Sequence, residues 1–386
     1  MPSRTLYLHI GCHKTGTTSI QRTLQANEKT LAQHNLVFFY NNRESGERKL
    51  PDLHSWLGFD HDRGLVPDGM RIKGPKELAN QLSQLPGDVV VSSENFSFIF
   101  DPKEISRLKN ALSKVFDDIK VICYIRRQDQ HIVSHHQEGS KVSRRAENDL
   151  FGHTPHAIPP FQEHHALYLD YHQRLGFWGD IFGDENLVIR VFDRVLLKNG
   201  DAVADFFELL GIETFEKIKE HNVSLSGLEA KIGHIINSSQ VENKQWLARM
   251  LKPRLAGGDK LSPSRAIARE YLAHYADSNI SLNQRFGISP NPEIFSDDFS
   301  MYPEEDKDQW DDASAADALA KVLEIVDNVY GSLSTDEIRD AAVALEKRKP
   351  ELSYKLMSVA AKLRPEGRFI QRKLAHYQAV LTEKEK

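Results

Sequence analysis

Short apolar runs recur along the chain, and segments with a helical spacing of apolar residues separate them. Five of these runs, rich in β-branched and aromatic residues, predict strands at residues 6–10, 36–40, 88–92, 119–125 and 186–192. Parallel strands need crossover connections, and helices usually supply them. The alternation therefore predicts a doubly wound α/β fold with a mainly parallel central sheet of four or five strands.

The hydrophobic pattern changes after residue 296. Eight of the sixteen residues from 297 to 312 are Asp or Glu, which predicts an acidic, solvated linker. We therefore expect an α/β domain over 1–296 and a helical extension over 313–386. The extension resembles part of a tetratricopeptide array, and it either packs on the domain or forms a homo-oligomer. Its predicted helix faces are Ile338, Ala341, Ala342 and Leu345; Leu352, Leu356, Val359, Ala360 and Leu363; and Ile370, Leu374, Tyr377 and Leu381.

Composition excludes several classes of protein. The 386 residues are 40% hydrophobic and 27% charged, as in ordinary globular proteins, and the net charge of −5 argues against a nucleic-acid binder. The cysteines are Cys12 and Cys123, too few for a disulfide framework, which fits a reducing compartment. Because the chain has no apolar leader and no 18-residue apolar run, we expect a cytoplasmic protein without a membrane span.

The segment between the first predicted strand and the following helix has the character of an anion-binding loop. Gly11 to Gly16 offers backbone N–H groups and mostly small side chains, and Thr17 to Ser19 can begin a helix. The first N–H groups of a helix lack internal partners and attract a phosphate or sulfonate. Lys14 precedes Gly16, whereas the lysine of a Walker loop follows the second glycine. We interpret Cys12, inside the loop, as a bystander rather than a nucleophile.

A carboxylate follows the third predicted strand. Glu94 comes just after residues 88–92, at the strand end where open α/β sheets bind their ligands. If burial among Phe96, Phe98 and Phe100 raises its pKa, this carboxylate can take a proton from an acceptor hydroxyl. The alternative is that Glu94 caps or pairs with a neighbouring loop.

Histidines cluster on the helix after the fourth predicted strand. His131 and His135 are spaced i, i+4, so they share a helix face and could form half of a metal site. No HExxH motif is present. We interpret these residues as ordinary polar histidines and expect no metal.

The stretch from His13 to Gln21 resembles the 5′-phosphosulfate loop of sulfotransferases that use 3′-phosphoadenosine 5′-phosphosulfate. In that family an arginine at a strand end and a serine eight residues later hold the 3′-phosphate, and Arg126 and Ser134 have this spacing. A guanidinium suits a phosphate because it makes bidentate, charge-assisted hydrogen bonds. The chain departs from the family in having Gln128 at a usual proline position and His136 where an aromatic residue often follows the serine. The resemblance covers roughly residues 5–279.

The resemblance implies transfer of a sulfuryl group from 3′-phosphoadenosine 5′-phosphosulfate to a hydroxyl or amine. It implies that Lys14 neutralises the oxygen that leaves with the nucleotide, and that Glu94 takes the proton of the acceptor. These two residues are the expected catalytic pair. The expected residues of the nucleotide site are His13, Lys14, Thr15, Gly16, Thr17, Thr18, Ser19, Arg126 and Ser134.

Two polar segments are expected to select the acceptor, a small molecule or a glycan. The first, residues 41–74, contains His54, the second candidate for the base, although a surface or packing role is the simpler interpretation. The second, residues 139–162, carries basic side chains and predicts either a mobile lid or a solvated charged loop.

Two other functions are compatible with the sequence. A nucleotide-dependent kinase could use the same loop for ATP, but it would need a carboxylate that binds magnesium, and none is evident after the predicted strands. A non-catalytic scaffold could use the helical extension to recruit a partner. The presence of Lys14, Arg126 and Ser134 argues against a scaffold.

Overall fold

A computed structural model describes most of the chain. The chain divides into two compact units, Met1–Gln309 and Trp310–Lys386. The described residues are 3–40, 56–60, 62–141, 144–218, 225–305, 308, 310–330 and 334–384.

A five-stranded sheet lies at the centre of the first unit. The strands of this unit are β1 (Thr5–Gly11), β2 (Leu36–Phe39), β3 (Leu57–Gly58), β4 (Arg71–Ile72), β5 (Asp88–Ser92), β6 (Asp118–Ile125) and β7 (Leu187–Val191). The sheet has the order β2-β5-β1-β6-β7, and each neighbouring pair in it is parallel. Strands β3 and β4 form a separate antiparallel pair. The predicted doubly wound α/β fold with a parallel sheet is confirmed.

Helices cover both faces of this sheet. The helices are α1 (Thr17–Ala26), α2 (Glu28–Gln33), α3 (Pro75–Ser83), α4 (Pro102–Leu112), α5 (Gln128–Gly139), α6 (Arg145–Phe151), α7 (Ala166–Leu169), α8 (Tyr171–Phe182), α9 (Ala202–Leu209), α10 (Gly227–Ser238), α11 (Lys244–Leu255), α12 (Arg265–Ala273) and α13 (Ala276–Phe286). Leu8 and Val121 belong to the face that packs with α4 and α8, whereas Val90 and Ile122 belong to the face that packs with α1 and α9. The central strands are therefore apolar on both sides, as parallel sheets require.

The strand order creates a crevice beside β1. After β1 the chain builds β2 and β5 on one side of it and then β6 and β7 on the other. Ligands of open α/β sheets bind at the carboxyl ends of the strands at such a switch point. The loop after β1 and the residues that follow β5 and β6 are thus brought to one edge of the sheet.

The basic segment 139–162 is not simply a loop. Its residues 145–151 form α6, and Leu150 and Phe151 on this helix are buried in the main core. The apolar side chains between the charges explain the difference, because they need a core to pack against. The helix brings its charged residues towards the edge of the sheet that carries the loop.

The described residues 297–305 of the acidic segment belong to the first unit and pack within it. Phe299 and Tyr302 are buried, and the guanidinium of Arg127 lies 4.1 Å from the centre of the Phe299 ring. Arg127 also donates a hydrogen bond to the Asp298 carbonyl oxygen at 2.7 Å. Two aromatic side chains thus hold this part of the segment on the α/β unit.

The second unit is helical. Its helices are α14 (Asp312–Tyr330), α15 (Thr335–Leu345), α16 (Pro350–Leu363) and α17 (Arg368–Lys384). Ile338, Ile370 and Tyr377 of the predicted faces are in its core. The predicted face of α16 was only partly right: Ala360 is buried and Leu356 packs against the core, but Leu352, Val359 and Leu363 are exposed, and Met357 and Ala361 are buried instead. Leucines on a short helix are therefore a poor guide to its buried side when smaller residues allow closer packing.

No helix in the described parts of the chain has both the length and the apolar character needed to cross a bilayer. Helix α14, for example, carries Asp317, Lys321 and Glu324 among its 19 residues.

Candidate active site

Three residues have positive φ between the end of β1 and the start of α1: Gly11, the last residue of β1 (90°), Lys14 (62°) and Gly16 (81°). For a lysine this conformation costs roughly 1–2 kcal/mol, so the surroundings must hold it. Gly16 is the N-cap of α1. Arg126, at the end of β6, donates from Nη1 to the Lys14 carbonyl oxygen at 3.4 Å. The turn is thus held partly from the neighbouring strand end.

Several backbone N–H groups of this loop are not used within the described protein. Those from Lys14 to Thr18 donate no hydrogen bond to any residue that the structure describes. They lie at the N-terminus of α1, where the helix dipole is positive. Such a group of N–H donors suits the oxygens of a phosphate or sulfonate.

Other side chains of the loop face the protein interior. His13 donates its N–H to the Tyr168 hydroxyl at 3.0 Å, and the Thr15 hydroxyl donates to the Cys12 carbonyl oxygen at 2.7 Å. The side chains of His13, Thr15 and Thr17 are buried, so they shape the loop from inside. The loop residues that are half-buried are Lys14, Gly16, Thr18 and Ser19.

Glu94 begins a short 3₁₀ turn, Glu94–Phe98, directly after β5. Gly11 packs closely against it, because a Cβ at Gly11 would lie only 2.7 Å from Glu94 Cα. Gln21 of α1 donates from Nε2 to Glu94 Oε2 at 2.9 Å. Phe96 and Phe98 are buried, but Glu94 itself is half-buried, so the expected apolar enclosure is incomplete. Glu94 is an oriented carboxylate that solvent or an acceptor can reach.

The two arginines after β6 have different partners. Arg127 is buried and binds both carboxylate oxygens of Asp129, at 2.7 and 3.0 Å. Arg126 is half-buried, contacts Gln130 Oε1 and the Lys14 carbonyl oxygen at 3.4 Å each, and forms no ion pair with a described carboxylate. Burial lowers the pKa of Arg126. A partly desolvated guanidinium without a counter-charge favours an anionic ligand.

Glu138, one helical turn after Ser134 on α5, pairs with three cations, one of which is Lys14 of the loop. Lys14 Nζ lies 3.1 Å and Lys141 Nζ 2.8 Å from Glu138 Oε2, and Arg144 Nη2 lies 3.1 Å from Oε1. Burial would raise the pKa of Glu138, but the three cations outweigh it and lower the pKa to about 2. The carboxylate is therefore ionised at neutral pH and holds Lys14.

Ser134 and His54 are the remaining predicted residues of the site. Ser134 is half-buried on α5, and its hydroxyl makes no hydrogen bond to a described residue. It lies on the same helix as Glu138 and after Arg126, near the edge of the sheet that carries the loop. His54, the second candidate for the base, lies outside the described residues.

A buried polar layer supports the loop. Arg174 of α8 lies 2.9 Å from Cys12 Sγ through Nη2 and donates from Nε to the Tyr168 carbonyl oxygen at 3.0 Å. Cys12 Sγ is also 4.0 Å from Cys123 Sγ. Burial raises the pKa of Cys12, whereas the contacts with Cys123 and Arg174 outweigh it and lower the pKa to about 6. Because Cys12 is fully buried, it supports the loop and is not exposed as a nucleophile.

The histidine pair of α5, which we expected to be ordinary polar histidines, is buried. His131 and His135 are both fully buried, and His131 Nε2 lies 3.3 Å from His135 Nδ1. Burial is the main cause that lowers the pKa of each ring, and nearby cations add to it. Both imidazoles are therefore neutral at pH 7, which leaves a lone pair on each ring for hydrogen bonding or metal binding.

Several residues of the site were missed in the sequence. Glu138 could have been found, because it lies four residues after Ser134 on the same helix face. Asn95, whose Oδ1 lies 3.3 Å from His13 Nε2, directly follows Glu94. Tyr168 carried no signal, since 155 residues separate it from His13.

Comparisons with known proteins leave the family open. No family model matches the chain. Over 152 residues, or 39% of its length, the chain is 28% identical to an uncharacterized protein of Archaeoglobus fulgidus, and it spans only 38% of that protein. A sulfotransferase from Alicyclobacillus acidocaldarius aligns with a TM-score of 0.38 and 15% identity, over 73% of this chain and 96% of that one. A likeness of this size does not establish a shared family or activity.

Proposed function

We propose that the α/β unit is a sulfotransferase that transfers a sulfuryl group from 3′-phosphoadenosine 5′-phosphosulfate to a hydroxyl or amine of an acceptor such as a carbohydrate. The main support is the position of Arg126, whose Nη1 lies 3.4 Å from the Lys14 carbonyl oxygen. A guanidinium that forms no ion pair with a described carboxylate therefore stands beside a loop whose N–H groups from Lys14 to Thr18 are not used by the described residues. Two anion sites this close suit the two phosphate ends of one nucleotide.

The residues at this edge suit the chemistry of group transfer. In the proposed reaction an acceptor oxygen or nitrogen forms a bond to sulfur while the bond from sulfur to the bridging oxygen breaks. The electron pair of that bond leaves on the nucleotide phosphate. The N–H groups from Lys14 to Thr18 and the Lys14 ammonium would stabilise the charge on that phosphate, by analogy with phosphoryl transfer. Arg126 and Ser134 would hold the 3′-phosphate.

Glu94 is our candidate for the base that takes the proton of the acceptor. It follows β5 at the same edge of the sheet, is half-buried, and is oriented by the 2.9 Å hydrogen bond from Gln21. Glu138 is also close to Lys14, but a pKa of about 2 gives its carboxylate little affinity for a proton. We therefore assign Glu138 to holding Lys14 before the nucleotide binds.

Calorimetric titration of the full chain tests this function. The ligands are 3′-phosphoadenosine 5′-phosphate, 5′-AMP and ATP with magnesium, and the variants are Arg126→Gln and the exposed control Arg71→Gln. We expect 3′-phosphoadenosine 5′-phosphate to bind without metal. Its affinity should be at least about tenfold higher than that of 5′-AMP, and Arg126→Gln should lower it by at least about tenfold, because charge-assisted bonds to a phosphate contribute about 1.5–3 kcal/mol. Arg71→Gln should bind it as the wild type does.

Other outcomes would reject the proposal. A preference for ATP with magnesium would indicate a kinase instead, and no nucleotide binding at all would favour a scaffold. Equal affinity for 5′-AMP and for 3′-phosphoadenosine 5′-phosphate would exclude Arg126 as the 3′-phosphate site.

A further inference from the structure

Three potential metal ligands meet beside the anion-binding loop, although they come from separate segments. They are His13 after β1, His135 on α5 and Glu147 on α6, and one ligand atom from each lies within 4.8 Å of the other two. All three side chains are buried. The sequence suggested no such site because 122 residues separate the two histidines and the carboxylate lies in the segment expected to be a loop.

The Nδ1 atoms of His13 and His135 have partners outside the cluster. His13 Nδ1 lies 2.8 Å from the Tyr168 hydroxyl, and His135 Nδ1 lies 3.3 Å from His131 Nε2. Such outer partners fix ring orientation and tautomer in metal sites, and they leave Nε2 as the ligand atom. A metal on His13 Nε2 requires the proton on Nδ1, where the Tyr168 oxygen accepts it.

A nitrogen of His135 that can face the cluster lacks a partner in the part of the chain that the structure describes. His135 Nε2 is buried and has no hydrogen-bond partner among the described residues. His13 Nε2 contacts Asn95 Oδ1 at 3.3 Å, which is long for a hydrogen bond. The His13 and His135 rings are nearly parallel, with centroids 4.7 Å apart, and a nitrogen of each lies within 4.8 Å of a Glu147 oxygen.

The carboxylate at this point has only a distant cation among the described residues. Glu147 is only 5% exposed, and Arg144 Nη1, its ion-pair partner among the described residues, is 3.9 Å from Oε1 on a half-exposed side chain. Burying a carboxylate is costly unless a positive charge compensates it. A divalent cation bound by the carboxylate would supply that charge.

We propose that His13, His135 and Glu147 bind one divalent transition-metal ion, for which Zn²⁺ is the best match. Imidazole nitrogens and a carboxylate oxygen suit Zn²⁺ and do not suit Mg²⁺ or Ca²⁺, which prefer oxygen ligands only. Tetrahedral ligand bonds of about 2.0–2.2 Å place ligand atoms about 3.4 Å apart, so metal binding would draw together the three atoms, which now lie within 4.8 Å of one another. Three protein ligands leave the fourth position of a tetrahedral site open.

The ion would fix the loop that precedes α1. His13 is directly followed by Lys14, so a bond from the metal to the His13 ring ties the strained turn to α5 and α6. Zinc binding can be measured in the absence of nucleotide and acceptor. The result therefore tests the zinc site separately from the proposed sulfotransferase activity.

The test is zinc binding by the full chain after removal of metals with a chelator. Competition with a chromophoric chelator gives the stoichiometry and affinity for Zn²⁺ alone, with Glu147→Gln and His135→Gln as variants. The matched controls are His136→Gln, a buried histidine on the same helix, and Glu104→Gln, a buried glutamate of α4. We expect one Zn²⁺ per chain. The affinity for Zn²⁺ should fall by at least about 100-fold in both variants and change by less than threefold in the controls. Tyr168→Phe, which removes only an outer partner, should weaken binding by roughly 10–100-fold.

X-ray absorption of the zinc-loaded wild-type protein keeps the test decisive if a variant does not fold. The expected spectrum shows two imidazoles and oxygen ligands, and no sulfur, around Zn²⁺. The proposal is wrong if zinc binds with the same affinity to the wild type and to folded Glu147→Gln and His135→Gln, if sulfur ligates the ion, or if the wild type binds no stoichiometric zinc.

Discussion

Replacing Glu138 with glutamine should lower the stability of the α/β unit and at the same time strengthen its binding of an anionic nucleotide. The substitution keeps the shape of the side chain and removes its charge. Lys14, Lys141 and Arg144 then lose the carboxylate that they share, at distances of 2.8 to 3.1 Å. Because Lys14 is also our candidate ligand for the phosphosulfate, a nucleotide would no longer compete with Glu138 for it.

The magnitude follows from the pKa of Glu138. Its fall from the ordinary 4.5 to about 2 corresponds to about 3 kcal/mol in favour of the charged, folded form. The three cations are one-third to one-half exposed, so solvent screening reduces this to about 1–2 kcal/mol. If about 1 kcal/mol belongs to Lys14, the Kd for 3′-phosphoadenosine 5′-phosphate should fall roughly fivefold.

The pH dependence has a definite sign. A carboxyl group whose folded pKa is lowered adds its stability above its unfolded pKa, and this contribution is lost as the pH falls through the folded pKa. The wild type should therefore lose this contribution between about pH 4.5 and pH 2, and Glu138→Gln should not.

Chemical denaturation at pH 7 and at several values down to pH 3, together with nucleotide titration at pH 7, measures both effects. Glu163→Gln, which changes an exposed glutamate, is the control and should alter stability by less than about 0.5 kcal/mol. The reasoning is refuted if Glu138→Gln is as stable as the wild type at pH 7, or if it binds the nucleotide more weakly.

Three further changes test the fold and the site. Gly11→Ala should cost about 2 kcal/mol or more in unfolding free energy, because it places a Cβ 2.7 Å from Glu94 Cα at a φ of 90°; an unchanged denaturation midpoint would contradict this packing. Leu24→Ala, at a fully buried position of α1, should destabilise by roughly 2–5 kcal/mol in the same assay, and a loss below 1 kcal/mol would argue against the core assigned to that face. Ser226→Ala removes the hydroxyl that accepts the Glu229 N–H at the start of α10 and should cost about 1 kcal/mol, whereas Ser238→Ala near the exposed end of that helix should cost little.

The strands were predictable because each depends on a short run of neighbouring residues. The runs at 6–10, 36–40, 88–92, 119–125 and 186–192 differ from the observed strands by at most one residue at either end. Their alternation with helices leaves a parallel sheet as the simple solution, since a parallel pair needs a crossover. The face of α16 was not predictable in the same way, because the packing partner decides whether Leu352 or Met357 is buried.

The site likewise contains residues that could be predicted from the sequence and residues that could not. The loop from Gly11 to Gly16, Glu94 and Arg126 could be named from the sequence because each directly follows a strand, and strand ends of a parallel sheet share an edge. The partners of these residues could not be named from the sequence. Nothing in the sequence shows that Arg127 is neutralised by Asp129, while Arg126 forms no ion pair with any carboxylate in the described parts of the chain.

By itself, the sequence determined which residues stand at the carboxyl edge of the sheet, because strand ends and helix starts depend on the order of neighbouring residues. Only the tertiary structure decided which of these residues meet groups from distant segments: Lys14 meets Glu138, Cys12 meets Arg174, and His13 and His135 come close to Glu147. The physical reason is that charge compensation and metal binding depend on separations of a few ångströms between side chains that local sequence patterns do not relate.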